Sequence, residues 1–136
     1  MTDKSDEAQV EALAEIDGRY NKEAYAFVYK SLHYTVQKLG KRQLPQAQRH
    51  ISGADLLKGL SELALDEFGP LTISVFAHWG VYKTEDFGHI VFNLVNEGLM
   101  GKTEQDKIED FTDVYDFAEE FDWRRRRKDV RRKRTK

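Results

Sequence analysis

Ten of the last thirteen residues are cations: Arg124, Arg125, Arg126, Arg127, Lys128, Arg131, Arg132, Lys133, Arg134 and Lys136, set against the single anion Asp129. A guanidinium offers a planar fork of N–H donors that grips two phosphate oxygens at once, and its flat face stacks on exposed bases. Seven of the ten are arginines, so the segment is suited to docking on phosphates and unstacked bases, which RNA presents together. Trp123 heads the run, where an indole either closes the end of a core or stacks a base beside the arginines. Upstream, residues 1–123 hold 12 Lys and Arg against 23 Asp and Glu, so a body near −11 carries a tail near +9 within a chain of net charge −2. The implied partner is RNA or another polyanion, and the body's own charge makes it a poor collaborator in that contact.

Other chemistry-bearing residues are sparse. Gly101-Lys102-Thr103 has the ending of a phosphate-binding loop, but Asn96 stands where the earlier glycine is needed, and the segment follows a helix rather than a strand. Asp86 and His89, three apart on one helical face, have the spacing of a carboxylate–imidazole metal pair, yet no second helix supplies the matching pair. His33, His50 and His78 lack metal-binding spacing to any carboxylate pair. There is no nucleophile elbow, no zinc-protease helix motif and no glycine-rich dinucleotide fingerprint, so no catalytic residue, metal or cofactor is nominated. Zero cysteines rule out disulfides, thiolate nucleophiles and Cys-ligated zinc, and fit a reducing cytoplasm. The N-terminus has no apolar leader, and no apolar run approaches the ~18 residues of a membrane span. The expectation is a cytoplasmic protein without a transmembrane segment.

The elements that must carry these residues are helical. With 40% hydrophobic residues and 2 prolines in 136, the composition predicts a mainly α fold: one compact helical domain over 20–123. Residues 1–19 precede it as a flexible stretch or short acidic helix with the stripe Val10, Leu13, Ala14 and Ile16, and 124–136 follow as a disordered tail. Asn21 is a good N-cap, and Tyr25, Val28, Tyr29, Leu32, Val36 and Leu39 keep a 3.6-residue period up to Gly40. Phe27 and Tyr34 point away from that stripe, so this helix either forms the centre of the body or offers a second apolar face to a partner. Residues 41–51 read as a loop. Ser52 and Asp55 have capping-box spacing ahead of Leu56, Leu57, Leu60, Leu63, Ala64 and Phe68. Gly69-Pro70 closes that helix and opens the next, carried by Leu71, Val75, Phe76 and Trp79 to Gly80. Thr84 is expected to cap a further helix, with Glu85 and Asp86 at its positive end, Phe87, Ile90, Val91, Leu94 and Val95 inward, and Gly98 as its stop. Beyond Gly98 two patterns compete. Strands at 99–103 and 111–117 put Phe111, Tyr115 and Phe117 on one face, whereas a helix aligns Phe111, Val114, Tyr115, Ala118 and Phe121.

This order of helices, with the exit Gly98-Leu99-Met100 and a small C-terminal β-hairpin, resembles a winged helix-turn-helix domain in which Ile90 and Leu94 are buried residues of the third helix. The resemblance implies a third helix laid in the major groove. Its outward positions, Glu85, Asp86, Gly88, His89, Phe92, Asn93, Asn96 and Glu97, include no Lys or Arg. The wing adds Glu104, Asp106, Glu109 and Asp110 against Lys107. Such a surface repels phosphate, so a winged helix here would bind protein through Phe92 rather than read DNA.

A second resemblance rests on an ordered series of short motifs: Arg49-His50-Ile51-Ser52-Gly53, Phe68-Gly69-Pro70-Leu71, His78-Trp79-Gly80-Val81, Thr84-Glu85-Asp86-Phe87-Gly88, Ile90-Val91-Phe92-Asn93-Leu94-Val95, Asp110-Phe111 and Val114-Tyr115-Asp116-Phe117. Over about residues 20–121 these resemble an uncharacterised family of small proteins restricted to planctomycete and verrucomicrobial bacteria. The family has no assigned activity, so the resemblance carries over no functional residue. It implies a bacterial cytoplasmic protein and sets aside nuclear localisation as the meaning of the basic cluster. The tail lies outside the shared block.

Together these features lead to the expectation of a non-enzymatic accessory protein that docks on RNA, ribosomal or otherwise structured, through its tail and mostly without sequence preference. The alternative is an adaptor whose helical body binds a protein partner through Phe92, Tyr34 or Phe27. The tail would then serve as an electrostatic tether, or as an intramolecular brake against the nine acids between Glu104 and Asp122.

Overall fold

The computed structural model describes residues 4–40, 51–98, 108–122 and 124, in which six α-helices and two short 3-10 turns follow one another. In α1 (Lys4–Asp17) the apolar contact comes from Val10 and Ala14, both buried. Ile16, expected in the same stripe, is 83% exposed; two residues beyond Ala14 it stands about 200° round the helix, facing away. Asn21 starts α2 (Lys22–Lys38) as its spacing predicts, its side chain accepting the Glu23 N–H at 2.9 Å. This helix buries Ala24, Tyr25, Phe27, Val28, Ser31 and Thr35 and is packed by α1, α3 and α5, which makes it the central element. Ser31 and Thr35 satisfy their buried hydroxyls within the helix by donating to the carbonyls of Phe27 and Ser31, each at 2.8 Å. Phe27 is a core residue rather than part of a second face, its ring 5.4, 6.0 and 5.5 Å from those of Phe68, Phe76 and Trp79.

Ser52 caps α3 (Gly53–Phe68) by accepting the Asp55 N–H at 3.0 Å. This helix approaches α2 so closely at Gly59 that a Cβ there would lie 1.9 Å from Thr35 Oγ1. A 3-10 turn, Gly69–Leu71, holds Pro70 and delivers the chain to α4 (Thr72–His78). On α4 the fully buried Phe76 meets the rings of Phe27, Phe68, Trp79, Phe87, Phe117 and Phe121, so one side chain joins four helices to the C-terminal segment. In α5 (Thr84–Asn96) Phe87, Ile90, Val91 and Leu94 point inward.

Its start differs from the expected one. The N-cap is Lys83, in extended conformation, and the Asp86 carboxylate accepts the N–H groups of Tyr82 and Lys83 at 2.8 and 3.1 Å. Thr84 is buried one place inside, where its hydroxyl donates to the Phe111 carbonyl at 2.5 Å and accepts the Val114 N–H at 3.2 Å.

The expected second strand over 111–117 is not formed. A 3-10 turn, Ile108–Phe111, leads into a bend at Asp113, whose φ of +49° interrupts both strand and helix, and only Phe117–Glu120 closes as α6. The other expected strand, 99–103, and most of the loop expected over 41–51 lie outside the described residues. The aromatics of this segment fit both periodicities and obey neither because each docks separately. Phe111 fills a notch between Gly53 of α3 and Gly88 of α5, where an added Cβ would come within 2.9 and 2.7 Å of it. Tyr115 donates its hydroxyl to the Leu57 carbonyl at 2.9 Å, and Phe117 and Phe121 pack on Phe76. With anchors of this kind the backbone needs no regular partner, and the winged-helix pattern loses its hairpin.

Candidate nucleic-acid interface

The path to the basic tail is set by α6. Asp116 caps that helix by accepting the Glu119 N–H at 3.2 Å, and the buried Phe117 and Phe121 pin it to the core. Asp122 then accepts the Arg124 backbone N–H at 2.9 Å and faces its guanidinium at 3.5 Å. The Arg124 side chain is 87% exposed, so the first cation of the run stands in solvent at the edge of an acidic surface. Such an exposed pair is worth little and yields readily to a phosphate. Trp123, Arg125, Arg126, Arg127, Lys128, Arg131, Arg132, Lys133, Arg134 and Lys136 lie outside the described residues, as do His50 and Gly101-Lys102-Thr103.

Two of the three aromatics nominated as partner anchors turn inward. Phe27 is buried, and Phe92 is half-buried with its ring edge-on to Phe111 at 6.1 Å. Tyr34 is half-buried at the α2–α3 seam, with its hydroxyl 3.4 Å from Glu62 and Lys38 lying over its ring. Lys38 also pairs with Glu62, which raises the Lys38 pKa above its ordinary value, and Lys30 pairs with Glu67 farther along the same seam.

The outward positions of α5 are likewise occupied by the fold. Asp86 accepts the Tyr20 hydroxyl at 2.8 Å besides its two backbone N–H groups, which leaves it committed as a cap rather than offered with His89 as a ligand pair. Asn93 donates to the Tyr25 hydroxyl at 2.9 Å, and that hydroxyl donates to Asp17 at 2.7 Å. These bonds clasp the α1–α2 corner to α5. Burial, followed by hydrogen bonds to Asp86 and Asp17, pushes the pKa values of Tyr20 and Tyr25 well above the ordinary phenol range. Tyr115 is raised as well, chiefly by burial. Ser61, also buried, donates to Glu120 at 2.5 Å and ties α3 to α6. Each of these polar groups is thus held by a structural partner, and among the described residues no three His, Asp or Glu side chains converge to hold a metal. No helix among them is long and apolar enough to cross a membrane.

Compared with known protein families, curated proteins and solved structures, the chain matches none.

Sequence reading missed the groove between α1 and the end of α5, lined by Leu13, Ile16 and Glu97. The available signal was the i, i+3 pair Leu13 and Ile16, which lies beside the Val10–Ala14 stripe rather than within it.

Proposed function

We propose that this protein is a non-enzymatic accessory factor that docks on structured RNA through residues 124–136 while its helical body stays outside the phosphate groove. One observation carries the reading: charge divides at a single point of the chain, near −11 before residue 124 and near +9 from it onward. The geometry at that point supports it, because Arg124, four residues beyond the end of α6, already stands in solvent. An extended segment of thirteen residues reaches up to ~45 Å, enough to follow a groove without bringing the acidic body against phosphate. Contacts made by arginine and lysine to phosphate carry no sequence information, so recognition follows RNA shape and exposed bases.

The winged-helix mode forms no part of this proposal, since the segment after Phe111 is turn and short helix and the α5 surface carries no cation. The adaptor reading loses Phe27 to the core and half of Phe92 to Phe111. The bacterial cytoplasm that the resemblance to planctomycete and verrucomicrobial proteins implies is the compartment proposed for this docking. Ending the chain at Trp123 keeps every side chain of the aromatic core described above and removes all ten cations. Measured against a structured RNA at two salt concentrations, the shortened chain is expected to lose nearly all affinity; affinity equal to that of the full chain would overturn the proposal.

A further inference from the structure

We propose that α1 is a detachable strap: it lifts from the body as one unit about Gly18, and the hydrogen bonds joining Asp17, Tyr25 and Asn93 are the latch that holds it down. The helix is thinly attached by its apolar side. Among its described residues Val10 and Ala14 are buried and Leu13 and Asp17 half-buried, whereas α2 buries six residues and α3 nine. α1 carries no aromatic side chain, so it stays outside the ring cluster that joins the other helices through Phe76. Its junction with the body has a free pivot. Gly18 has a φ of +71°, and a Cβ placed there would meet nothing within 4 Å, so this residue can change conformation without displacing a neighbour. The residues just beyond it are fixed. A Cβ on Gly80 would lie 3.1 Å from the Arg19 carbonyl oxygen, the buried Tyr20 donates its hydroxyl to Asp86 at 2.8 Å, and the Asn21 N–H donates to the Trp79 carbonyl at 3.1 Å.

The latch sits beside the pivot. Asp17, the last residue of α1, accepts the Tyr25 hydroxyl at 2.7 Å and pairs with Arg19 at 3.2 Å, and Asn93 of α5 donates to the same hydroxyl at 2.9 Å. One carboxylate thus ties α1 to both of the helices it packs against, α2 and α5. Release strands no buried group: Tyr25 and Asn93 keep their mutual bond, and the Tyr25 hydroxyl and Asp17 carboxylate both meet water once the helix is away. Tyr25 is followed at helical spacing by the half-buried Tyr29, Leu32 and Val36, so the side of α2 that meets Asp17 continues along that helix as an apolar stripe. Lifting α1 uncovers the part of this stripe beneath it. The position of the strap, rather than any change in the body, decides whether that face is presented, and this holds whether or not the tail docks on RNA.

The test is native-state amide hydrogen exchange on the full chain, read residue by residue in rising denaturant. A helix of 14 residues away from the body is marginal in water, so each lifting event opens its amides to exchange. Residues 9–17 should share one protection factor, ~100-fold or more below that of the α3 amides, with a shallower denaturant dependence because less surface is uncovered than in global unfolding. Asp17→Ala separates the latch from helix propensity. It removes a carboxylate from the negative end of the α1 dipole and supplies alanine, changes that by themselves strengthen α1 and slow its exchange. The latch predicts the opposite, a uniform acceleration of ~10-fold over 9–17, as expected for losing a hydrogen bond to a charged group. Gly59→Ala, which crowds the α2–α3 crossing and leaves α1 untouched, should accelerate the α3 amides and leave 9–17 as they were, because that crossing stays packed when the strap lifts. Protection of 9–17 equal to that of α3, or declining step by step toward the N-terminus, would overturn the proposal. So would slower α1 exchange in Asp17→Ala, or equal acceleration of α1 and α3 in Gly59→Ala.

Discussion

At Gly88 and Gly59 the fold depends on the absence of a side chain. A Cβ at Gly88 would sit 2.7 Å from Phe111 Cβ and 2.8 Å from Cγ, atoms close to the backbone that cannot swing aside. Gly88→Ala should therefore cost ~1–3 kcal/mol by overpacking, even though alanine gains up to ~1 kcal/mol in helix propensity. Chemical denaturation measures this directly, and a neutral or stabilising change would mean that Phe111 is not seated between α3 and α5. The α2–α3 crossing permits a sharper version. Gly59→Ala puts a Cβ 1.9 Å from Thr35 Oγ1, so the single change should destabilise by a similar ~1–3 kcal/mol. Pairing it with Thr35→Ala should recover part of that loss in a double-mutant cycle. None of this was legible in the sequence, where both glycines sit inside good helical stripes and their role depends on what another element brings to them.

At the scale of elements, helix punctuation was readable because it is local chemistry. Asn21 and Ser52 accept the N–H groups their spacing predicts, and Gly40, Gly69, Gly80 and Gly98 all take positive φ where helices end. The capping of α5 was misread for a related reason. Thr84 and Asp86 both suit a helix start, and the choice fell to Asp86 because the Thr84 hydroxyl was recruited by the 111–114 turn. The C-terminal segment was illegible because its anchors are set by the core, not by a period. The α1–α2 corner carries its own test. Tyr20, Tyr25 and Tyr115 hold protons above their ordinary value of 10.0. Between that value and the raised folded ones the unfolded chain has lost protons that the folded chain keeps, so stability is full below ~10 and falls as pH rises beyond it. Denaturation midpoints from pH 8 to 11 should decline at the alkaline end, less steeply in Tyr25→Phe. An identical slope in that variant would mean that burial and the Asp17 hydrogen bond do not hold the Tyr25 proton.

For the molecule as a whole, the separation of charge was the most legible feature, and Arg19, Lys30 and Lys38 of the body are engaged by Asp17, Glu67 and Glu62. Phe27 and Phe92, which looked available as anchors, serve the core and the Phe111 notch. The central claim is that ten cations at one end of the chain do the docking. Each phosphate they neutralise on single-stranded or loop RNA releases roughly 0.7 counterions, so ten contacts give a slope near −7 in log affinity against log salt. The most direct measurement is that slope for the full chain on a structured RNA with single-stranded loops. Tail docking predicts a value between about −5 and −7; a slope near −1, or binding that persists unchanged to high salt, would contradict it.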